Sequence, residues 1–327
     1  MSYQERIDAT VARETPSSDE PVLIAEFIRF LKDASAKRHP NGPMHRFNQG
    51  RDSGCVRAEF TVLDNLPAEL RVGLFSVPRT FQAWIRFANA ASRSDREKDV
   101  RGMSIRVSDI PGQNLTQGGT TQDFVLNSHP VMVVANTRDF LQLLRAMEGG
   151  RLRRLLHLVT HPRTVRIGLA ARGNPTSHLD ISYWSTTPYL FGEGRAVKYV
   201  VRPSSPATST RPNPMGDQYL RDTMRARLER SEAMFDFMVQ FQTDGRRMPI
   251  EDATVEWKEQ DSPYRAVARI RIPKQNIDEP GRNTRCEETA FDPWHALVEH
   301  RPLGSLNRAR RDIYPAMADF RRQHRTR

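Results

Sequence analysis

The sequence predicts an α+β fold, an antiparallel β-core with helices around it, from three observations. Short runs in which apolar and polar residues alternate fall in two blocks, residues 55–126 and 183–272. Runs with helical spacing stand apart from them, at 20–36, from 136 to 172, at 217–230 and from 307 to 321. No internal repeat and no shift in composition divides the chain, and runs of strands segregated from runs of helices argue α+β.

Each element has its own signal. Residues 1–19 are polar and predict a loose arm ahead of one domain over 20–327. Ser17-Ser-Asp-Glu20 is a capping-type start, and Val22, Ile24, Phe27, Ile28 and Leu31 follow at helical spacing, so a helix is predicted near 20–36. His39-Pro-Asn-Gly-Pro43 breaks the chain. Val56, Ala58, Phe60 and Val62 alternate in a half-buried strand over 55–63, and further strands are predicted at 81–87, 102–107 and 123–126. Trp84 and Met103 are assigned to the core of this sheet. After Asn136, Phe140, Leu141, Leu144 and Met147 cluster on one helical side, and a basic segment to Arg172 predicts one or two more helices. Strands are expected again at 183–191, 195–201, 235–241, 255–257 and 264–272, with a Pro/Ser/Thr-rich loop over 203–214 and a polar helix over 217–230.

Composition bounds the function. With 327 residues, 38% hydrophobic and 27% charged, the chain is globular. Its net charge of +11 invites a nucleic-acid partner. However, the arginines are scattered and no helix-turn-helix, zinc-finger or RNA-recognition pattern occurs, so none is expected. Scattered arginine suits small anionic ligands equally well. Cys55 and Cys286 have no metal-type spacing, and the N-terminus lacks the apolar run of a signal peptide, so a cytoplasmic protein is expected. No window approaches 18 uninterrupted apolar residues, so no membrane span is expected. A homo-oligomer is left open.

The stretch that carries chemistry is Asn307-Arg-Ala-Arg310-Arg-Asp-Ile-Tyr314-Pro315, continuing to Arg321. On a helix, Arg310, Tyr314 and Arg321 fall within about a 40° arc, at about 100° per residue. A guanidinium one turn from a tyrosine favours phenolate, and a phenolate can ligate ferric iron. Taken alone, the same stretch also reads as a basic surface helix with a packed tyrosine.

Arg-x3-Tyr-Pro with a second Arg seven residues after the Tyr resembles the proximal haem signature of catalases, in which Tyr is the axial ligand. Upstream blocks resemble the family in the same order. They are Arg46-Phe-Asn-Gln49-Gly50, Ile85-Arg86-Phe87-Ala88, Asp99-Val-Arg101-Gly102, Asp123-Phe-Val-Leu-Asn-Ser128-His-Pro130, Tyr183-Trp184-Ser and Phe291-Asp-Pro293. The chain thus resembles the catalase-like haem superfamily over about residues 40–325, and within it the short bacterial catalase-related and haem-peroxidase branch.

The resemblance implies an antiparallel β-barrel core with surrounding helices and a haem b cofactor. It implies Tyr314 as iron ligand, Arg310 holding the phenolate, and Arg46, Arg86 and Arg321 on the haem propionates. Phe140 matches the distal-side phenylalanine, or is simply a packed core aromatic. The departures are as informative. Gln49 stands at the position of the distal histidine, Ser128 is aligned with the distal asparagine, and Ala88 replaces the serine that supports the histidine. An imidazole can shuttle a proton between peroxide oxygens near pH 7, whereas a glutamine amide cannot. Little catalase activity is therefore expected, and His45 and His129 are the candidate substitute bases. The function implied is a haem-dependent oxidoreductase using peroxide, an organic hydroperoxide or a small organic substrate. A redox-neutral haem lyase or isomerase and a non-catalytic haem sensor are the alternatives.

Overall fold

The computed structural model describes residues 11–40, 44–47, 49–206 and 209–324. Its strands are β1 (Arg51–Val62), β2 (Thr80–Asn89), β3 (Arg101–Val107), β4 (Gln122–Asn127), β5 (Tyr183–Trp184), β6 (Tyr189–Leu190), β7 (Ala196–Pro203), β8 (Ala233–Phe241) and β9 (Arg265–Ile272). Its helices are α1 (Glu20–Arg38), α2 (Thr137–Glu148), α3 (Arg151–Thr160), α4 (Pro162–Ala171), α5 (Tyr219–Leu228), α6 (Arg282–Glu288) and α7 (Ser305–Gln323).

All strand pairs are antiparallel, in the order β5-β4-β3-β2-β1-β9-β8-β7. The short β5 closes the ring, because Trp184 pairs with Asn127 of β4 and Tyr183 with Val201 of β7. The result is an eight-stranded barrel, with β6 attached to β7 outside the ring. Eight strands leave an interior just wide enough for side chains to fill. Aromatic rings fill it: Phe237 lies 4.6 Å from Phe124 and 5.1 Å from Phe60, and Tyr199 lies 5.0 Å from Phe124. Strand parity sorts the rest. On β2, Phe81, Ala83, Ile85 and Phe87 are core residues, so Arg86 and Ala88 point outward. By the same alternation β3 sends Ser104 and Arg106 outward, and β4 sends Val125 and Asn127.

Four expectations need correction. Trp84 packs outside the barrel against Cys55, Cys286 and Phe291, as its parity with Ile85 requires. The strand expected over 183–191 is split into β5 and β6 by Thr186, at φ 59°, and by Pro188. Residues 255–257 form no strand. Trp257 is buried against Met248, Ile250 and Leu303, and side chains replace a ladder: Lys198 Nζ donates to Val255 O at 3.1 Å and Gln240 Nε2 to Trp257 O at 2.8 Å. The described part of the N-terminal arm is held down, since Glu14 pairs with Arg301 at 2.8 Å and Arg308 at 2.7 Å. Residues 1–10 lie outside the described residues.

Candidate functional site

A cavity of about 1250 Å³ lies between the outward face of β2–β4 and helices α1, α2, α6 and α7. That exceeds the ~300–1,000 Å³ of ordinary ligand pockets. Phe27 and Leu31 of α1 and Phe140 and Leu144 of α2 supply apolar walls, with Phe140 edge-on to Phe27 at 5.6 Å.

Helix α7 forms one wall. It starts at Gly304, where φ is 85° and a Cβ would lie 2.5 Å from Ile250 O, so a side chain is excluded. Arg308 anchors its first turns through Glu14, Glu20 and Glu251, all within 2.9 Å. Arg310, Tyr314 and Arg321 all line the cavity. Arg310 Nη1 donates to Asn307 Oδ1 at 2.9 Å and to Thr187 Oγ1 at 3.2 Å. Asn307, fully buried, in turn donates to Pro188 O at 2.9 Å and Leu303 O at 3.1 Å, so the guanidinium is fixed from behind. Buried Tyr189 senses both groups: burial pushes its phenol up, Arg310 pulls it down, and Tyr314 adds to the rise.

At one end of the cavity the arginines converge. Arg86, only 2% exposed, donates from Nη2 to Gln49 O at 2.9 Å and lies 3.1 Å from Glu287 Oε1. Arg46 Nη2 bonds the carbonyls of Cys286 (2.8 Å) and Thr289 (2.9 Å), and its Nη1 lies 2.8 Å from Glu287 Oε1 without hydrogen-bond alignment. Burial, with Arg86 adjacent, pulls Arg46 down to about 10, which leaves it cationic at neutral pH; Arg321 pulls in the same direction and so stands close by. Among the described residues, Arg46 Nη1 and Arg86 Nε have no hydrogen-bond acceptor although both are buried.

A Cys55–Cys286 disulfide ties α6, and hence Glu287, to β1. The 231-residue separation gave no sign of it in the sequence.

The barrel wall is different in kind. Gln49 sits at φ 54°, a region uncommon for any residue but glycine and costing of order 1–3 kcal/mol. Its N–H donates to Ala90 O at 3.0 Å and its carbonyl accepts from Arg86, so the backbone is held from both sides. The side-chain Nε2 donates to Asn127 Oδ1 at 3.1 Å. A Cβ on Gly102 would lie 2.4 Å from that Nε2, so the glycine makes room for the amide. Ser128, expected in this role, does not line the cavity: its Oγ accepts from Arg101 N at 2.9 Å. Asn127 takes the place beside Gln49 because Phe124 and Leu126 point into the barrel.

Neither candidate substitute base lines the cavity. His45 is exposed, its ring 5.5 Å from His39. His129 is only partly buried, and burial lowers its pKa. A histidine that sequence reasoning missed, His295, does line it. Its Nδ1 lies 3.0 Å from Asp123 Oδ2 and 2.8 Å from Arg106 Nη2, while Arg106 Nε donates to Asp123 Oδ1 at 2.8 Å. The ring is pinned by an ion pair whose acid is fully buried. Beside it, burial pushes Asp292 up to about 6 even though Trp294 N–H donates to its carboxylate.

The architecture is that of the catalase-like fold, an antiparallel barrel wrapped by helices. The chain is similar in structure to catalase A from Saccharomyces cerevisiae (15% identity, TM-score 0.70, covering 97% of this chain and 68% of that one). It is also similar to a fungal catalase (16%, 0.68, 89% and 62%) and a bacterial catalase (18%, 0.67, 99% and 64%). It therefore spans roughly two thirds of their length. No protein-family model matches the sequence, and no curated protein matches it.

The residues present fit a haem. Among the described residues, buried Arg86 Nε has no acceptor and Arg46 Nη1 meets only Glu287, without hydrogen-bond alignment; both arginines line the cavity, the flanking walls are apolar and aromatic, and α7 offers a phenol one turn from a fixed cation.

Proposed function

We propose that the chain is a haem-dependent oxidoreductase that uses peroxide or an organic hydroperoxide on a small organic substrate and releases little oxygen from hydrogen peroxide. Haem b, when bound, supplies the redox-active iron. Tyr314 is the metal ligand in this reading, with Arg310, fixed by Asn307 and Thr187, one helical turn away. Arg46, Arg86 and Arg321 hold the propionates by charge-assisted bonds, and Phe140 provides an aromatic wall.

The observation that carries the reading is the Gln49–Asn127 amide pair on the barrel wall, where Gln49 Nε2 donates to Asn127 Oδ1 at 3.1 Å. Among the described residues, one amide hydrogen of Gln49 and its Oε1 have no other partner and face a bound oxygen species in this reading. It can orient that species, but neither amide titrates near neutral pH, so neither moves a proton between two oxygens. Asn127, rather than Ser128, is assigned as its partner.

The same pair favours a second reading, a lyase or isomerase acting on a hydroperoxide, because a redox-neutral rearrangement needs no such proton shuttle. Product analysis separates the two. The first reading expects oxidation of a phenolic donor by hydrogen peroxide; the second expects conversion of a lipid hydroperoxide with no added donor. Oxygen release at the rate of a true catalase would refute both.

A further inference from the structure

Helix α3 inverts the usual arrangement of a surface helix. Leu152, Leu155, Leu156 and Val159 fall within about a 100° arc, and such a stripe ordinarily faces a core. Here the four are 80, 60, 62 and 69% exposed, and no residue of α3 is buried. Leu169 on α4 adds a fifth exposed apolar side chain, at 68%. On the helical wheel Arg151 and Arg153 flank the stripe on its two sides, while Arg154 lies opposite and donates to Met147 O at 2.7 Å.

The surrounding charge has one sign. Between Glu148 and Asp180 the sequence has six arginines (151, 153, 154, 163, 166 and 172) and neither Asp nor Glu. Arg163 reaches Asp252 at 3.5 Å, but among the described residues no carboxylate pairs with Arg151, Arg153, Arg166 or Arg172.

We propose that α3, with the adjoining α4, docks on an anionic lipid bilayer. An outward apolar stripe flanked by arginines suits the boundary between headgroups and acyl chains, where the leucines enter, the arginine stems lie along them and the guanidiniums meet phosphates. A second copy presenting the same face would set the flanking arginines 151 and 153 against their own copies, so self-association through it is disfavoured by charge. No residue of α3 or α4 lines the cavity, so the docking face does not depend on what the cavity holds.

The test is flotation of the full chain with vesicles of phosphatidylcholine alone and of phosphatidylcholine mixed with phosphatidylglycerol. The protein is expected to float with the anionic vesicles, weakly or not at all with the neutral ones, and less as salt rises. Arg151→Ala/Arg153→Ala/Arg166→Ala is expected to lower the partition about a hundredfold, at about fivefold per arginine. Leu152→Ser/Leu155→Ser/Leu156→Ser is expected to abolish insertion, with unchanged thermal melting showing that the fold is intact. Three results would overturn the proposal: no flotation with anionic vesicles, flotation unaffected by both variants, or binding to polyglutamate alone, which would mark an acidic protein partner. Disassembly of a larger species by the leucine variant, without vesicle binding, would also overturn it and assign the face to a second copy.

Discussion

The α7 wall of the cavity presents a phenol and a guanidinium held rigidly from behind, whereas the barrel wall presents two carboxamides that bond each other. The phenol offers a ligand atom for an ion, and the amide pair can orient an oxygen-bearing ligand without titrating. Reactivity in this pocket is therefore asymmetric. Coordination is supplied from the helix side; the barrel side brings the guanidiniums of Arg86 and Arg106 and an amide pair, Gln49 and Asn127, that does not titrate.

The sharpest way to break the asymmetry is to put a base on the barrel wall. Gln49→His, with Asn127 already in place, is expected to raise oxygen release from hydrogen peroxide by about 10²–10⁴-fold, measured with an oxygen electrode. The lower part of that range is expected, because Ala88 offers the imidazole no hydrogen bond and a loosely oriented base loses much of its benefit. An unchanged rate would mean that something other than the missing base limits the native pocket.

A second variant removes a charge from the barrel wall. Arg86→Ala takes away a buried guanidinium that holds the Gln49 carbonyl and faces Glu287. Glu287 is about a third exposed, so breaking the pair costs less than the about 3–5 kcal/mol of a fully buried one. Haem retained through gel filtration is expected to fall steeply, and full occupancy would count against propionate contact at this end.

The smallest effect concerns pH. Asp292 has its folded pKa raised to about 6, above the ordinary carboxylate value, so its contribution to stability is fully present below about pH 4 and lost as pH rises through 6. Asp292→Asn keeps an acceptor for Trp294 N–H and removes the buried charge. The variant is expected to be more stable than the native chain at pH 7, by at most about 3 kcal/mol, and indistinguishable from it near pH 4. Equal denaturation midpoints at both pH values would show that Asp292 is charged without cost.

How far each wall could be read from the sequence follows from its secondary structure. On α7 a period of 3.6 places Arg310, Tyr314 and Arg321 together whatever the rest of the fold does. On β4 a shift of one residue exchanges the two faces, and aligning a motif by its letters put Ser128 in the cavity in place of Asn127. The signal that decides correctly was present in the alternation of Phe124 and Leu126 with Val125 and Asn127. His295 lies in irregular chain with no period to orient it, and α6 is only seven residues long and polar. The pairing of Cys55 with Cys286 depends on long-range packing that no local pattern encodes.

The most direct test of the central claim, that this cavity holds a haem through Tyr314, is the visible absorption spectrum of the haem-reconstituted chain beside that of Tyr314→Phe. The native protein is expected to show ferric high-spin, phenolate-ligated iron. The variant is expected to lose that signature, together with more than about tenfold of its haem affinity, since even the supporting partners of a metal ligand are worth about 10–100-fold. An identical spectrum and undiminished haem content in Tyr314→Phe would contradict the assignment.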